Sequence, residues 1–350
     1  MLTFISQYPD KDSIKDGMMQ RINSIDESVS SRERVYLSIS YKKNIKKKIV
    51  RKERLTIYYV NYIIHQKFIK KILEESKEIY IHSIYNFNKV ANNSKIVMNK
   101  SVTLDFHGVV PEELEFCGKK ILSKKFSKIE LKACLCAKKI VFVTKSMESY
   151  IINKYKNIQF ESIVYPIISQ ENFKSDDKFN VELTKKELGI KEDDTVFIYS
   201  GNCQEWQNID LMLTSIEKNI DCKNFKFIIL TGDTKAFEEN PIYQQIKGEI
   251  ILKSVLPSEL SKYYSISNYG FVLRDEHILN KVACPTKIVE YMQNGIIPIV
   301  KSEEIGDFLQ LGYEFIRVDD INNKLSNKKS DKNKLIIENI IELKKKTKVI

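Results

Sequence analysis

Lys287 and Glu290 stand three residues apart in the run from Ala283 to Val300, a spacing that puts a cation and a carboxylate on one face of a helix. Pro285 suits the first helical position and Asn294-Gly295 suits the stop. The first turn of such a helix offers unpaired N–H groups and the positive end of its dipole, so with Pro285, Thr286 and Lys287 it can receive a phosphate. Glu290, one turn further on, suits hydrogen bonds from a ribose diol. One short segment therefore carries groups for both parts of a nucleotide diphosphate. Helices with no ligand also begin at Pro and end at Gly, so the spacing alone leaves a purely structural helix open. Arg274, at the end of the predicted strand Tyr269–Leu273, is placed for bidentate phosphate contact or for an ion pair with Asp275 or Glu276.

These groups need elements to hold them, and the chain supplies an alternation of short apolar runs with helix-length polar segments, the pattern of parallel sheets covered by helices. A first set of strands is expected at Leu2–Ser6, Val35–Ser40, Leu55–Val60, Ile79–Ser83, Val102–Phe106, Ile140–Thr144 and Ser162–Tyr165. A second set is expected at Val196–Ser200, Phe225–Leu230, Glu249–Lys253, Tyr269–Leu273, Ile297–Val300 and Phe315–Val318. Between them lies the polar stretch from Ser169 to Lys191, which sets a domain boundary near residue 169. Two domains follow, 1–168 and 169–330. A terminal helix is expected over 331–350, after a loose Lys/Asn/Ser connector at Lys324–Lys334 and with helical spacing through Leu335, Ile336, Ile340 and Leu343.

Several of these segments resemble family 4 retaining glycosyltransferases. Pro285-Thr286-Lys287, Glu290-Tyr291, Gly295 and Pro298 are similar to that family's donor-site signature, in which the Glu holds the ribose and the helix start holds the diphosphate. Asp105-Phe106-His107-Gly108 resembles the family's Asp-x-His-Gly, whose His faces the donor sugar. On its chemistry alone a strand-end histidine is more often a hydrogen-bonded structural group. Asp16-Gly17-Met18-Met19-Gln20-Arg21-Ile22 is similar to a segment of capsule-type transferases in which the Gly lets the backbone approach the donor. Arg21 there is either an anion ligand or a surface salt bridge. Tyr199-Ser200-Gly201-Asn202 with Trp206 looks like the family's first phosphate loop, although Gln204 and Gln207 stand where many relatives have Lys or Arg. Val255, in the loop Lys253–Pro257, falls under the nucleobase in this comparison.

The resemblance implies an α/β protein of GT-B fold, two Rossmann-like domains facing across a donor/acceptor cleft. It implies retaining transfer of a sugar from a nucleotide diphosphate sugar, UDP- in preference to GDP-, to a lipid-linked saccharide. His107, Lys287 and Arg274 would be the catalytic residues, and Gly17, Gly201, Asn202, Val255, Pro285, Thr286, Lys287 and Glu290 would hold the donor. No metal or resident cofactor is expected. Val282 stands eight residues before Glu290, where the wider family has a second Glu. That departure leaves open an inactive GT-B scaffold, while a sugar-nucleotide 2-epimerase would need a pair of carboxylates facing the sugar that the sequence lacks.

Charge adds a partner. Residues 1–160 hold 31 Lys+Arg and 16 Asp+Glu, a net of +15, whereas residues 161–323 are at −10 and the last 27 at +6. Such a basic half points to anionic lipid or nucleic acid. Its densest patch, Lys42–Arg54, interleaves Ile45, Ile49 and Val50 among eight cations, including Lys46, Lys47, Lys48, Arg51 and Lys52. That mixture suits an anionic membrane surface, or else a solvated hairpin between the strands Arg34–Ser40 and Arg54–Asn61. Aromatic residues form no stacking platform, so nucleic acid is not expected. Six cysteines lack metal-ligand spacing, and the sequence has neither a signal peptide nor a spanning run. The expected place is the cytoplasm, peripheral on the inner face of the plasma membrane, in a bacterium with an AT-rich genome.

Overall fold

The computed structural model describes residues 1–10, 17–168 and 180–350. The expected boundary near residue 169 lies outside the described residues, as does Asp16. The chain divides into two compact units, Met1–Ser169 with Lys346–Ile350 and Gln170–Lys345.

In the first unit eight strands form one sheet: β1 (Leu2–Ile5), β2 (Arg34–Ser40), β3 (Lys48–Lys52), β4 (Leu55–Asn61), β5 (Glu78–His82), β6 (Ser101–Asp105), β7 (Lys139–Phe142) and β8 (Glu161–Val164). Their order is β3-β4-β2-β1-β5-β6-β7-β8, and every pairing is parallel except β3 with β4. The central strands are buried along their length because helices cover both faces, which is why they read as unbroken apolar runs. Phe4 stacks on Tyr36 at 4.7 Å between ring centroids, and Val349 of the tail is buried in the same core. Arg34 opens β2 with a bidentate pair to Asp26 of the helix Gly17–Ser28, at 2.6 and 2.9 Å.

The basic patch differs from the solvated hairpin offered as the alternative to a membrane surface. Lys48–Lys52 is itself a strand, antiparallel on the exposed edge of β4. Lysines along a sheet edge discourage pairing with another chain. β2 and β4 lie side by side in parallel, so no hairpin joins them.

In the second unit six parallel strands run in the order β11-β10-β9-β12-β13-β14. They are β9 (Thr195–Ser200), β10 (Phe225–Leu230), β11 (Ile250–Lys253), β12 (Tyr269–Val272), β13 (Ile297–Val300) and β14 (Ile316–Arg317). Phe197, Phe225, Phe227, Tyr269 and Phe271 make an aromatic core on one face. The terminal helix spans Asp331–Lys346 and starts inside the stretch expected to be a loose connector. Asn333 fixes that start, because its side chain is fully buried and exchanges hydrogen bonds with Glu314 N and O at 2.8 and 2.9 Å. The inward stripe of this helix is Asn333, Ile337, Ile341 and Lys344, whereas Leu335 and Leu343 are exposed.

One close approach positions the second unit's candidate site. Gly270 in β12 lies under the ring of Tyr291, and a Cβ there would sit 2.4 Å from two ring carbons. We expect Gly270→Ala to cost about 1–3 kcal/mol by overpacking, read as a lower urea midpoint with unchanged secondary structure; an unchanged midpoint would show that the ring moves freely.

Candidate functional site

The helix Thr286–Gln293 starts after Pro285, which is its cap and not its first residue as expected. Pro285 has the extended backbone of a cap and no side-chain donor or acceptor to bond the first turn, so the N–H groups there are left without a capping side chain. The other end closes with Gly295 at φ +68°, where Ile296 N bonds Tyr291 O at 2.9 Å and Gly295 N bonds Met292 O at 3.0 Å. That is a Schellman stop, and a side chain at Gly295 would be strained. Midway, the hydroxyl of Tyr291 accepts from Ser200 N at 3.0 Å, which ties the helix to the carboxyl end of β9.

Two cations meet beside this join. Lys287 Nζ lies 3.8 Å from the centroid of the Tyr199 ring and donates to Gln207 Oε1 at 3.0 Å. Arg274 donates from Nη1 to Asn280 Oδ1 at 3.1 Å, while its Nε is out of solvent with no partner. Neither has an ion-pair partner among the described residues. The acids expected as alternatives for Arg274 are engaged elsewhere: Asp275 with Lys301 and Glu276 with Lys281. Burial and the nearby Arg274 push the Lys287 ammonium well below its ordinary pKa, against the pull of Glu290. Burial likewise pushes Arg274 down to about 10. Two unpaired, desolvated cations side by side are an electrostatic cost that an anionic ligand relieves.

Gly201 follows β9 at φ +151°, and a Cβ on it would lie 3.0 Å from Lys287 Nζ. A side chain there would crowd the ammonium away from the loop. Asn202 is exposed beside it, its carbonyl accepting from the Tyr199 hydroxyl, and Thr286 is half-buried at the first turn. Gln207, one of two glutamines standing in place of a cation, holds Lys287 by its carbonyl; Gln204 is exposed. Val255 is half-buried in the loop after the edge strand β11, separated from β9 by β10.

Glu290 is held by a group the sequence did not bring forward. Tyr264, in the helix Leu260–Ile266, donates its hydroxyl proton to Glu290 Oε2 at 2.9 Å. That proton being used, the bond of 2.7 Å between Ser200 Oγ and the Tyr264 oxygen is donated by the serine. Glu290, Tyr264, Ser200 and Tyr291 thus form one chain of hydrogen bonds, buried except at the half-buried Glu290. Gly270 signalled only the Tyr291 end of this chain, since glycine within a strand often marks a close approach.

In the first unit His107 follows β6 and lies in a polar cluster around Asp105. Arg21 is neither an anion ligand nor a surface salt bridge: it is fully buried, gripping Asp105 at 2.6 and 2.8 Å and the Tyr165 carbonyl. Tyr80 donates to Asp105 at 3.0 Å. His82 Nδ1 and His107 Nε2 approach the same carboxylate oxygen at 3.2 and 3.3 Å and each other at 3.1 Å. Burial works to raise the Asp105 carboxyl, but the Arg21 guanidinium and the hydrogen bonds from His107 and His82 together outweigh it and hold the carboxyl well below the usual range, while burial pushes the His82 imidazole down to about 4, so it is neutral at pH 7.

The three donor atoms are spaced like metal ligands, yet the residues fit a metal poorly. Arg21 already meets the carboxylate charge, and the outer nitrogens His82 Nε2 and His107 Nδ1 are buried with no acceptor to orient a metal-bound ring. Gly17 opens the helix Gly17–Ser28. In the basic segment Lys46, Lys47, Lys48, Arg51 and Lys52 are all exposed, and the ammoniums of Lys47, Lys48 and Lys52 lie over the rings of Phe68, Tyr59 and Tyr8 at 4.3, 5.7 and 5.1 Å.

No family model and no curated protein matches the sequence. Solved structures do match over nearly the whole chain. Sucrose-phosphate synthase from Thermosynechococcus elongatus is similar at 11% identity over 97% of this chain and 94% of its own, with a TM-score of 0.69. An α,α-trehalose-phosphate synthase (UDP-forming) from Burkholderia xenovorans, in complex with glucose-6-phosphate, is similar at 10% identity over 99% and 97%, TM-score 0.63. Anabaena Alr3699/HepE in complex with UDP-glucose follows at 12% identity over 99% and 91%, TM-score 0.59. At these identities the likeness shows the fold, and the fold is GT-B: two Rossmann-like α/β units.

Proposed function

We propose that the chain is a family 4 glycosyltransferase that moves a sugar from a nucleoside diphosphate, UDP- in preference to GDP-, onto a lipid-linked saccharide with retention at the anomeric carbon. The observation that carries this reading is the pair Lys287 and Arg274, two desolvated cations without a carboxylate partner among the described residues, at the uncapped start of the helix Thr286–Gln293. A diphosphate supplies the missing charge. In the transfer, negative charge grows on the leaving diphosphate as the glycosidic bond breaks, and fixed cations with helix N–H groups stabilise it there. Glu290, oriented by Tyr264, takes the ribose. The structures similar to this one include proteins that bind UDP-glucose and a UDP-forming synthase, which supports the choice of donor. Val282 is buried, so recognition of the sugar falls to other groups, and His107 is the candidate from the first unit. The lipid-linked acceptor places the protein on the inner face of the plasma membrane, where the basic strand around Lys46, Lys47, Lys48, Arg51 and Lys52 adds charge. In the described residues no helix is long and apolar enough to cross a membrane.

Thermal unfolding with UDP, GDP, ADP and CMP tests the donor. A ligand at about 100 times its Kd stabilises by about 2.7 kcal/mol, and UDP should give the largest shift. Lys287→Met should raise the melting temperature of the free protein, because it removes a desolvated amine that has no ion-pair partner among the described residues, and should weaken UDP at least tenfold, about 1.4 kcal/mol. A loss of free stability with unchanged affinity would show that Lys287 serves packing.

The depressed Lys287 gives a pH dependence of known sign. Its ammonium is disfavoured in the free protein and favoured beside a diphosphate, so binding takes up a proton and affinity falls as pH rises through the free-protein pKa. Free stability runs the other way, rising over the range in which the unfolded chain holds the proton and the folded chain does not. Calorimetry in buffers of different ionisation enthalpy should register the uptake, and Lys287→Met should remove it.

Tyr264 positions Glu290, so its effect is confined to the ribose. Tyr264→Phe should raise the Kd of UDP about fivefold while inorganic pyrophosphate binds as before; equal weakening of both would mark a general disturbance of the fold.

A further inference from the structure

The helix Lys120–Cys136 sorts its residues in an unusual way. Its inward positions are Ser123, Phe126, Glu130, Ala133 and Cys134, all buried. Its outward stripe runs Ile121, Lys124, Lys128, Leu131, Leu135, in steps of three and four that keep these side chains on one face. Ile121 is 86% exposed, Leu131 41% and Leu135 54%, and Leu122 beside them is 43%. Lys125 and Lys132 are exposed next to the stripe, and no exposed acid occurs between Gly118 and Cys136. None of Lys120, Lys124, Lys125 and Lys128 has an ion-pair partner among the described residues. An aliphatic stripe in water, surrounded by unneutralised lysines, needs a partner that is both apolar and anionic.

We propose that this helix face is the surface by which the protein docks on an anionic lipid bilayer. The residue types favour lipid over the other partners of negative charge. Protein interfaces are enriched in aromatic residues and Arg and depleted in Lys, whereas this face has Lys, Ile and Leu alone. Nucleic acid would engage the lysines but has no use for four exposed aliphatic side chains. A bilayer uses both: the aliphatic groups enter the headgroup boundary, and the lysines extend their charged ends to the phosphates while their stems cover apolar surface. The basic segment Lys42–Arg54 is a weaker candidate, because it exposes two large aliphatic side chains, Ile45 and Ile49, against four on this helix. The proposal rests on the membrane part of the function above and is independent of the donor.

The test is co-sedimentation of the full chain with phosphatidylcholine vesicles, with and without 30% phosphatidylglycerol as a chosen composition of about that fraction. Binding is expected only with the anionic lipid and should fall with added salt. Replacing Lys124, Lys125 and Lys128 with Gln should reduce partitioning by about fivefold per lysine, roughly a hundredfold in all. Replacing Ile121, Leu131 and Leu135 with Gln should abolish the part that survives high salt. All six are exposed, so unchanged melting temperatures are expected and exclude misfolding as a cause. The proposal is overturned if the chain ignores both vesicles, or if Gln at Lys46, Lys47, Lys48, Arg51 and Lys52 abolishes binding while the helix variants do not. It is overturned equally if the helix variants change only the oligomeric state. Failure of the donor reading would appear separately, as absence of any nucleotide shift in a protein that still binds vesicles.

Discussion

The phenol of Tyr291 joins one helix to one strand end, and the arrangement of the second unit's site depends on that join. Its ring lies on β12 only because residue 270 has no side chain, and its hydroxyl then reaches Ser200 N at the end of β9. Ser200 is one residue before Gly201, whose open space admits Lys287 from the same helix. Ser200 also bonds Tyr264, and Tyr264 bonds Glu290. The cation, the carboxylate and the loop are therefore set by a single contact between a buried aromatic ring and a glycine. A site built on a strand end and a helix start is held more precisely than one built on loops.

The two units treat buried charge in opposite ways. In the first, Arg21 and Asp105 satisfy one another so fully that burial leaves the carboxylate ionised, and Tyr80 and two imidazoles complete its shell. Removing either partner of such a pair costs about 3–5 kcal/mol, because the other is left charged and dry. In the second, Lys287 and Arg274 have only neutral hydrogen-bond partners among the described residues, in Gln207 and Asn280. A fold selected for stability alone would not keep two such cations together. Stability given up at one place, with the rest of the sheet well packed, is what the proposed binding role of these two residues would require.

The same physics decides what was legible in the sequence. Thirteen strands were readable because strands of a parallel sheet, covered on both faces, are continuous apolar runs bounded by polar ones. β3 was hidden because an edge strand has no buried face to impose alternation, and its lysines read as solvent-exposed loop. The helix Thr286–Gln293 was placed to within one residue, and Pro285 missed only in being the cap. Arg21 was misread because a charged residue in an amphipathic segment looks like surface, and the carboxylate that makes burial tolerable is 84 residues away. Tyr264 is 26 residues from Glu290, and no local pattern links them. Asn333 looked like part of a loose connector, since its partners at Glu314 arise from tertiary packing.

The helix Lys120–Cys136 closes the argument about charge. Its one acid, Glu130, is turned fully inward, where Lys154 at 2.6 Å and the Tyr155 hydroxyl at 2.8 Å hold one oxygen while the other has no partner. Burial pushes that carboxyl up even with Lys154 beside it. Placing the only acid inside, at this cost, and every lysine outside reverses the ordinary rule that charges of both signs share a solvated face. An acid on the outer stripe would have formed ion pairs with the neighbouring lysines and would have repelled an anionic surface. Its removal to the interior leaves a face of one sign, and the aliphatic residues within it remain accessible to lipid.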